Sequence, residues 1–295
     1  MRKEPVSKRL EVRKTYKLFI GGAFPRSESG RSYAVVDAHG AFLANAAMAS
    51  RKDARDAVVA ARKAFPGWSG ATAYNRGQIL YRVAELLEGR RAQFADEVAR
   101  SEGLDARQAA VVVDIAVDRW VHFAGWTDKV AQVAGSANPV AGPYFNLSTP
   151  EPTGVVAVLA PQESSLIGLV AVLAPVLVTG NTAVVLASEH RPLPSVSLAE
   201  VLSTSDLPAG VVNILTDRTA EVAPWLASHM DVNAIDLAGA GKNATLATDL
   251  EAAAADNLKR VRRPDPAGTD YSLVHGPARI LDFTEIKTVW HPVGV

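Results

Sequence analysis

From residue 154 onward the chain repeats one pattern: a short apolar run, a turn, then a longer stretch of helical character. The apolar runs fall at 154–160 (GVVAVLA), 182–186 (TAVVL), 211–216 (VVNILT) and 232–237 (VNAIDL). Each is too short for a stable helix and rich in β-branched side chains, so each reads as a strand. Helical segments at 165–178, 194–203, 220–229 and 243–256 separate them. Strands that are apolar on both faces must be covered on both faces, and an intervening helix returns the chain to the same end of the sheet. The pattern predicts an α/β fold with a doubly wound, mostly parallel sheet.

Upstream the periodicity is helical. Residues 17–22 and 33–37 read as short strands. Ser50 followed by Asp53 reads as a capping box, opening a helix in which Ala57, Val58, Ala61 and Phe65 recur at helical spacing up to Pro66-Gly67. Further helices are expected over 72–97, with Ile79, Leu80, Val83, Leu86 and Leu87 on one face, and over 106–133, with Val113, Ala116, Val117, Trp120 and Phe123. Residues 143–152, where Tyr144, Phe145 and Leu147 stand among polar neighbours, read as an extended hairpin arm. In an extended tail Ile286, Thr288 and Trp290 fall on one side and Lys287, Val289 and His291 on the other, with Val289 expected to supply a ladder donor.

Composition excludes several classes. Thirty-one basic side chains balance thirty-one acidic ones, so no net field draws the chain to nucleic acid or to an anionic membrane. The longest apolar run, 166–178, is too short to span a bilayer and is interrupted by Gly168 and Pro175. Residues 1–14 lack a hydrophobic stretch, so no secretory signal is read there and a cytoplasmic location is expected. The chain has no cysteine, hence no disulfide and no thiolate ligand. His39, His122, His190, His229, His275 and His291 show no i, i+4 pairing, so no metal site is expected. Ser164 and Ser165 follow a strand, as a hydrolase nucleophile would, but the G-x-S-x-G elbow is missing and a helix cap is the expected role.

The segments YKLFIGGAF, DARDAVVAARKAFPGW, NRGQILYRVAELL, EPTGVVAVLAP, LVTGNTAVVLASEHRPL and DLPAGVVNILT resemble the coenzyme-binding half of the aldehyde dehydrogenase superfamily, in order and at that family's spacing. Near the end, LDFTEIKTVWHPVG resembles the family's C-terminal segment. The resemblance implies a Rossmann-like coenzyme-binding-type domain over 16–142 and 153–261, preceded by a tail over 1–15. It makes 143–152 an oligomerisation arm and 281–295 an oligomerisation strand. Residues 262–280 then form a linker where full-length members carry a catalytic domain. That domain holds the nucleophilic cysteine and the general-base glutamate of an ELGG motif, and neither motif occurs here. A thiohemiacetal needs a thiolate, so no catalytic residue is assigned.

The coenzyme half departs from the family's pattern as well. Where the family has PWNFP, whose asparagine serves an oxyanion, this chain has Pro161, Gln162, Glu163, Ser164 and Ser165. The ribose-binding KPAE corresponds to Leu186, Ala187, Ser188 and Glu189, and the TGS turn to Ala238, Gly239 and Ala240. Glu189 and Gly239 are thus the cofactor-binding residues the resemblance retains, and NAD is expected to bind weakly and not to be required. Residues 239–244 also fit a G-x-G-x-x-A pattern, although a glycine at a strand-to-helix turn more often serves packing.

The combined expectation is a pseudoenzyme subunit that assembles with a full-length aldehyde dehydrogenase. Strand addition would run through Tyr144, Phe145, Leu147, Ile286, Val289 and Trp290. The alternatives are a stand-alone NAD(H) sensor and an NAD-dependent component completed by a partner's catalytic domain.

Overall fold

The computed structural model describes residues 12–241, 243–265, 267–273 and 276–294. A two-stranded antiparallel sheet, β1 (Ser32–Val36) and β2 (Phe42–Ala47), comes first. Then follow the helices α1 (Arg51–Gly70), α2 (Ala73–Gly89), α3 (Arg91–Glu102), α4 (Ala106–Ala124) and α5 (Val130–Ala134). Strands β3 (Ser136–Asn138) and β4 (Tyr144–Pro152) lead into β5 (Val155–Leu159). The alternating part continues with α6 (Ile167–Val178), β6 (Thr182–Leu186), α7 (Leu193–Leu202), β7 (Val212–Leu215), α8 (Thr219–Ser228), β8 (Ala234–Asp236), α9 (Ala244–Ala254) and β9 (Arg260–Arg262). The short α10 (Ala278–Leu281) and β10 (Thr284–Pro292) complete the order.

The expected doubly wound sheet is present. Its order is β7-β6-β5-β8-β9, all parallel, with β5 in register against both β6 and β8. Every residue of β5 and β6 is buried, the signature of strands covered on both faces. Two apolar layers do the covering: α2, α4 and α6 pack on one face, α1, α8 and α9 on the other. Helix α6 is buried along its whole length, which accounts for a sequence apolar all round.

Several expected boundaries move, each for a local reason. Residues 17–22 form no strand. Phe19 makes an isolated antiparallel bridge to Ile214, and Gly21 and Gly22, both at positive φ (59° and 82°), turn the chain back. Ser50 and Asp53 make the expected capping box, but α1 continues through Pro66 to Gly70 instead of ending at Pro66-Gly67. The 72–97 helix is two helices broken at Arg90, whose φ of −110° and ψ of 15° are not helical. The 106–133 helix stops at Ala124 and restarts as α5.

The arm is the largest correction. Residues 143–152 are not a hairpin by themselves: Tyr144–Pro152 is one nine-residue strand, and its hairpin partner is β3 across the turn around Gly142. The tail pairs along the whole of it, Thr284 opposite Pro152 through Pro292 opposite Tyr144. Arm and tail therefore form one antiparallel sheet, β10-β4-β3.

Candidate functional site

In an open α/β sheet, ligands bind outside the carboxyl ends of the strands, where the strand order reverses. Here the reversal lies at β5, and Gln162 ties the turn after it, 160–165, to its neighbours. Gln162 Nε2 donates to the Ala160 carbonyl (3.0 Å) and to Thr219 Oγ1 (3.3 Å). Its Oε1 accepts the Glu189 N–H (2.9 Å). One glutamine thus knits together the loops after β5 and β6 and the start of α8.

Glu189 follows β6 and lines an open cleft of about 640 Å³ together with Tyr33, Ser101, Gln162, Arg191 and Arg218. Its carboxylate is already engaged: Oε2 accepts the Thr219 N–H (2.9 Å), the first residue of α8, and Oε1 lies 3.3 Å from His190 Nε2. Arg218, the residue before the helix, makes no side-chain cap, so Glu189 supplies a negative group at that N-terminus. Within the same cleft the hydroxyls of Tyr33 and Ser101 are buried without a hydrogen-bond partner among the described residues. Burial raises the Tyr33 phenol, and the nearby Asp217 and Glu189 add to that rise.

Asp217, two residues past β7, is buried near the Tyr33 phenol, and sequence reading did not single it out. Burial pushes its carboxyl up to about 6, against the opposing pull of the Arg218 N–H it accepts at 2.7 Å. A folded value above the unfolded one means that the group's contribution to stability is fully present below about pH 4 and is lost as pH rises through about 6. Asp217→Asn is therefore expected to stabilise the chain by about 1–3 kcal/mol at pH 8 and to have little effect at pH 4. Urea unfolding of both proteins at the two pH values measures it, and an equal effect at both would remove the assigned cause.

Gly239 lies on the other side of β5, since it follows β8 whereas Glu189 follows β6. A Cβ built there would stand 2.5 Å from the Ala160 carbonyl oxygen and 2.8 Å from the Leu159 carbonyl carbon, so this glycine exists for close approach of two backbones. Ala240 beside it is buried. Asn243 caps α9 by accepting the Leu246 N–H (3.0 Å), which occupies the helix N-terminus that the G-x-G-x-x-A reading reserves for phosphate. Lys242 of that pattern lies outside the described residues. Leu186 is not a surface position short of a lysine: it is 1% exposed and packs in the layer of α1 and α8. Glu189, Leu186 and Asn243 are thus each engaged with the protein itself.

The remaining candidates fall into place simply. Ser164 Oγ accepts the Gly168 N–H (2.9 Å) in the first turn of α6, although the N-cap position itself is Leu166, two residues on, and makes no side-chain cap. Ser165 donates through both its N–H (2.7 Å) and its Oγ (2.6 Å) to Glu102. Glu163 is exposed, and only its carbonyl is engaged, by Arg191. Among the described residues no three His, Asp or Glu side chains are grouped to hold a metal, and His275 lies outside them. No helix among the described residues is long and apolar enough to cross a membrane. Tyr144, Phe145, Leu147, Ile286, Val289 and Trp290 are all exposed. The pairing places them on two faces rather than one: Tyr144, Ile286 and Trp290 on one, Phe145, Leu147 and Val289 on the other. Tyr144 and Trp290 meet edge to face at 5.8 Å.

A doubly wound parallel sheet with its crevice at β5 is thus joined to a three-stranded antiparallel sheet. The chain belongs to the aldehyde dehydrogenase family, whose profile matches residues 24–263. It is 34% identical to retinal dehydrogenase 2 of Gallus gallus over 257 residues, 85% of this chain and 48% of the relative. It is 32% identical to the cytosolic 10-formyltetrahydrofolate dehydrogenase of Mus musculus over 273 residues, 88% of this chain and 29% of the relative. A solved NAD+ complex of an aldehyde dehydrogenase from Bacillus cereus superposes with a TM-score of 0.80 at 27% identity, over 85% of this chain and 50% of that one. The chain thus spans about half the length, or less, of these relatives.

Proposed function

We propose that this chain is a catalytically inactive aldehyde dehydrogenase subunit that docks on a full-length family member and serves it as a structural or regulatory partner. The open outer edge of β10 carries this reading. Two hydrogen bonds fix its phase: Val293 N donates to the Pro143 carbonyl (2.8 Å), and Thr153 N to the Phe283 carbonyl (3.2 Å). Antiparallel pairs alternate, so Glu285, Lys287, Val289 and His291 turn their backbone groups toward β4. Ile286, Thr288 and Trp290 then present theirs outward, along a nine-residue edge that carries exposed apolar side chains. Such an edge is a template for a strand from another protein. The absence of any cysteine supports the inactive half of the reading. No specific observation favours the sensor or the partner-completed enzyme.

The phase also decides which substitution tests the proposal. Val289→Pro would remove a donor to β4 and break the sheet itself, so Val289 does not supply the partner's donor. Ile286→Pro removes an outward donor opposite Pro150 and leaves the inner ladder intact. On coexpression with a full-length aldehyde dehydrogenase from the same host, the intact chain is expected to comigrate on size exclusion. The Ile286→Pro chain is expected to elute alone with an unchanged circular dichroism spectrum. If the variant still comigrates, the interface lies elsewhere; if the intact chain never does, the subunit reading fails.

A further inference from the structure

The balanced total charge conceals a strong segregation. The first 31 residues hold nine Lys and Arg against three Glu, although the whole chain is formally neutral. Five of those cations converge on one feature. A groove of about 330 Å³ beside the β1–β2 sheet is lined by Arg13, Lys14, Lys17, Arg26 and Arg31, with Phe42 among them and, among the described residues, no carboxylate in its lining. We infer that this groove is a binding site for an oligophosphate, the class of anion that presents several phosphoryl charges in a short span.

Partnering sets the groove apart from an ordinary solvated surface. Lys14 is committed, to Glu200 (2.9 Å) and Ser197 (2.8 Å). Lys17 and Arg26 have no ion-pair partner among the described residues, and Arg31 makes no ion pair within 4 Å, although its charge reaches the Asp217 carboxylate. Carboxylates elsewhere on this chain do find cations: Asp114 takes Arg91, Glu251 takes Arg263 and Glu285 takes Arg260. Leaving three cations unpaired around one concavity concentrates positive potential there, where low-dielectric walls focus it. Arginine predominates among the lining cations, and its planar fork suits the paired oxygens of a phosphoryl group.

The backbone that carries these side chains is held in place. Tyr16 and Leu18 are buried, so the residue between them, Lys17, projects outward from an extended segment. That segment is tied on both sides, Ala47 N to the Tyr16 carbonyl (2.9 Å) and Leu18 N to the Pro25 carbonyl (3.1 Å). Arg26 and Arg31 flank a turn closed by Gly30 N on the Ser27 carbonyl (2.9 Å). The buried Asp53 anchors that turn by accepting from Ser27 Oγ (2.8 Å) and Glu28 N (3.2 Å). Cations on a fixed frame bind without a further ordering cost of the main chain. The groove is also separate from the Glu189 cleft, with which it shares no lining residue.

The probe is inorganic tripolyphosphate, titrated calorimetrically into the full chain. Saturable binding is expected, weakening by about tenfold or more from 50 to 200 mM salt as the field is screened. The triple reversal Lys17→Glu, Arg26→Glu, Arg31→Glu touches exposed or half-buried side chains and is expected to abolish binding while the thermal melt stays within a few degrees. A matched reversal of Arg51, Lys52 and Arg55, basic residues lining a different cleft, is expected to leave binding unchanged. No saturable binding, or equal loss in both reversals, would overturn the assignment. Binding to phosphatidylserine vesicles without binding to tripolyphosphate would overturn it too, by making the patch a membrane-docking surface.

Discussion

Arg279→Ala is expected to cost about 3–5 kcal/mol, a large share of the stability of a domain this size. The reason lies in the segment between β9 and β10, which sequence reading treats as a linker. It is instead docked on the coenzyme-type domain. Arg279 of α10 pairs with Asp236 at the end of β8 at 3.0 Å, and the two side chains are only 10% and 1% exposed. Ile280 and Phe283 enter the core beside α6. Asn181 Nδ2 donates to the Phe283 carbonyl (2.8 Å), and Arg119 Nη2 to the Ser272 carbonyl (3.2 Å). Removing Arg279 strands the Asp236 carboxylate in the interior with one oxygen still held by the Ala238 N–H (2.9 Å) and the other unpaired. The double variant Asp236→Asn, Arg279→Met removes the charge as well as its partner and is expected to recover most of the loss. Urea denaturation of the three proteins measures both steps. A cost below about 1 kcal/mol for the single variant would mean that α10 is not docked as described.

The same segment shows what the sequence could and could not disclose. Buried parallel strands are legible because burial on both faces demands continuous apolar runs, and the run 182–186 coincides with β6. Edge strands escape that demand. β9 is Arg260–Arg262, two arginines around a valine, and pairs with β8 at the rim where charged side chains reach solvent. β2 is alanine-rich, with Phe42 as its strand-favouring side chain, and its pairing with β1 makes it a strand. The site divides in the same way. Glu189 is legible through its match to the family's ribose-binding motif after β6, whereas Asp217, past β7, falls in no such motif. The partner of Glu189, the Thr219 N–H, lies 30 residues away in the chain, and the Tyr33 and Ser101 hydroxyls reach the cleft from β1 and α3. Tertiary packing alone brings those groups together, and no local pattern announces it.

Gly239→Ala is expected to destabilise the chain by about 2–3 kcal/mol, toward the upper end of the overpacking range. The three atoms nearest to the methyl group would be the Ala160 carbonyl oxygen just past β5 and, from Leu159 at the strand's end, the carbonyl carbon and the Cβ, the last at 2.9 Å. None of the three is a flexible side-chain end that can give way, so the 238–240 turn or the end of the central strand must move. Because β5 sits between β6 and β8, that displacement reaches the middle of the sheet rather than an edge. The result also separates two meanings of this glycine. If it serves packing, the loss appears in the urea midpoint and calorimetry with NAD shows no change between wild type and variant. If it serves a phosphate cradle instead, NAD affinity falls while the midpoint holds, and that outcome would return the coenzyme to a chain whose Leu186 and Glu189 are otherwise committed to the core and to the start of α8.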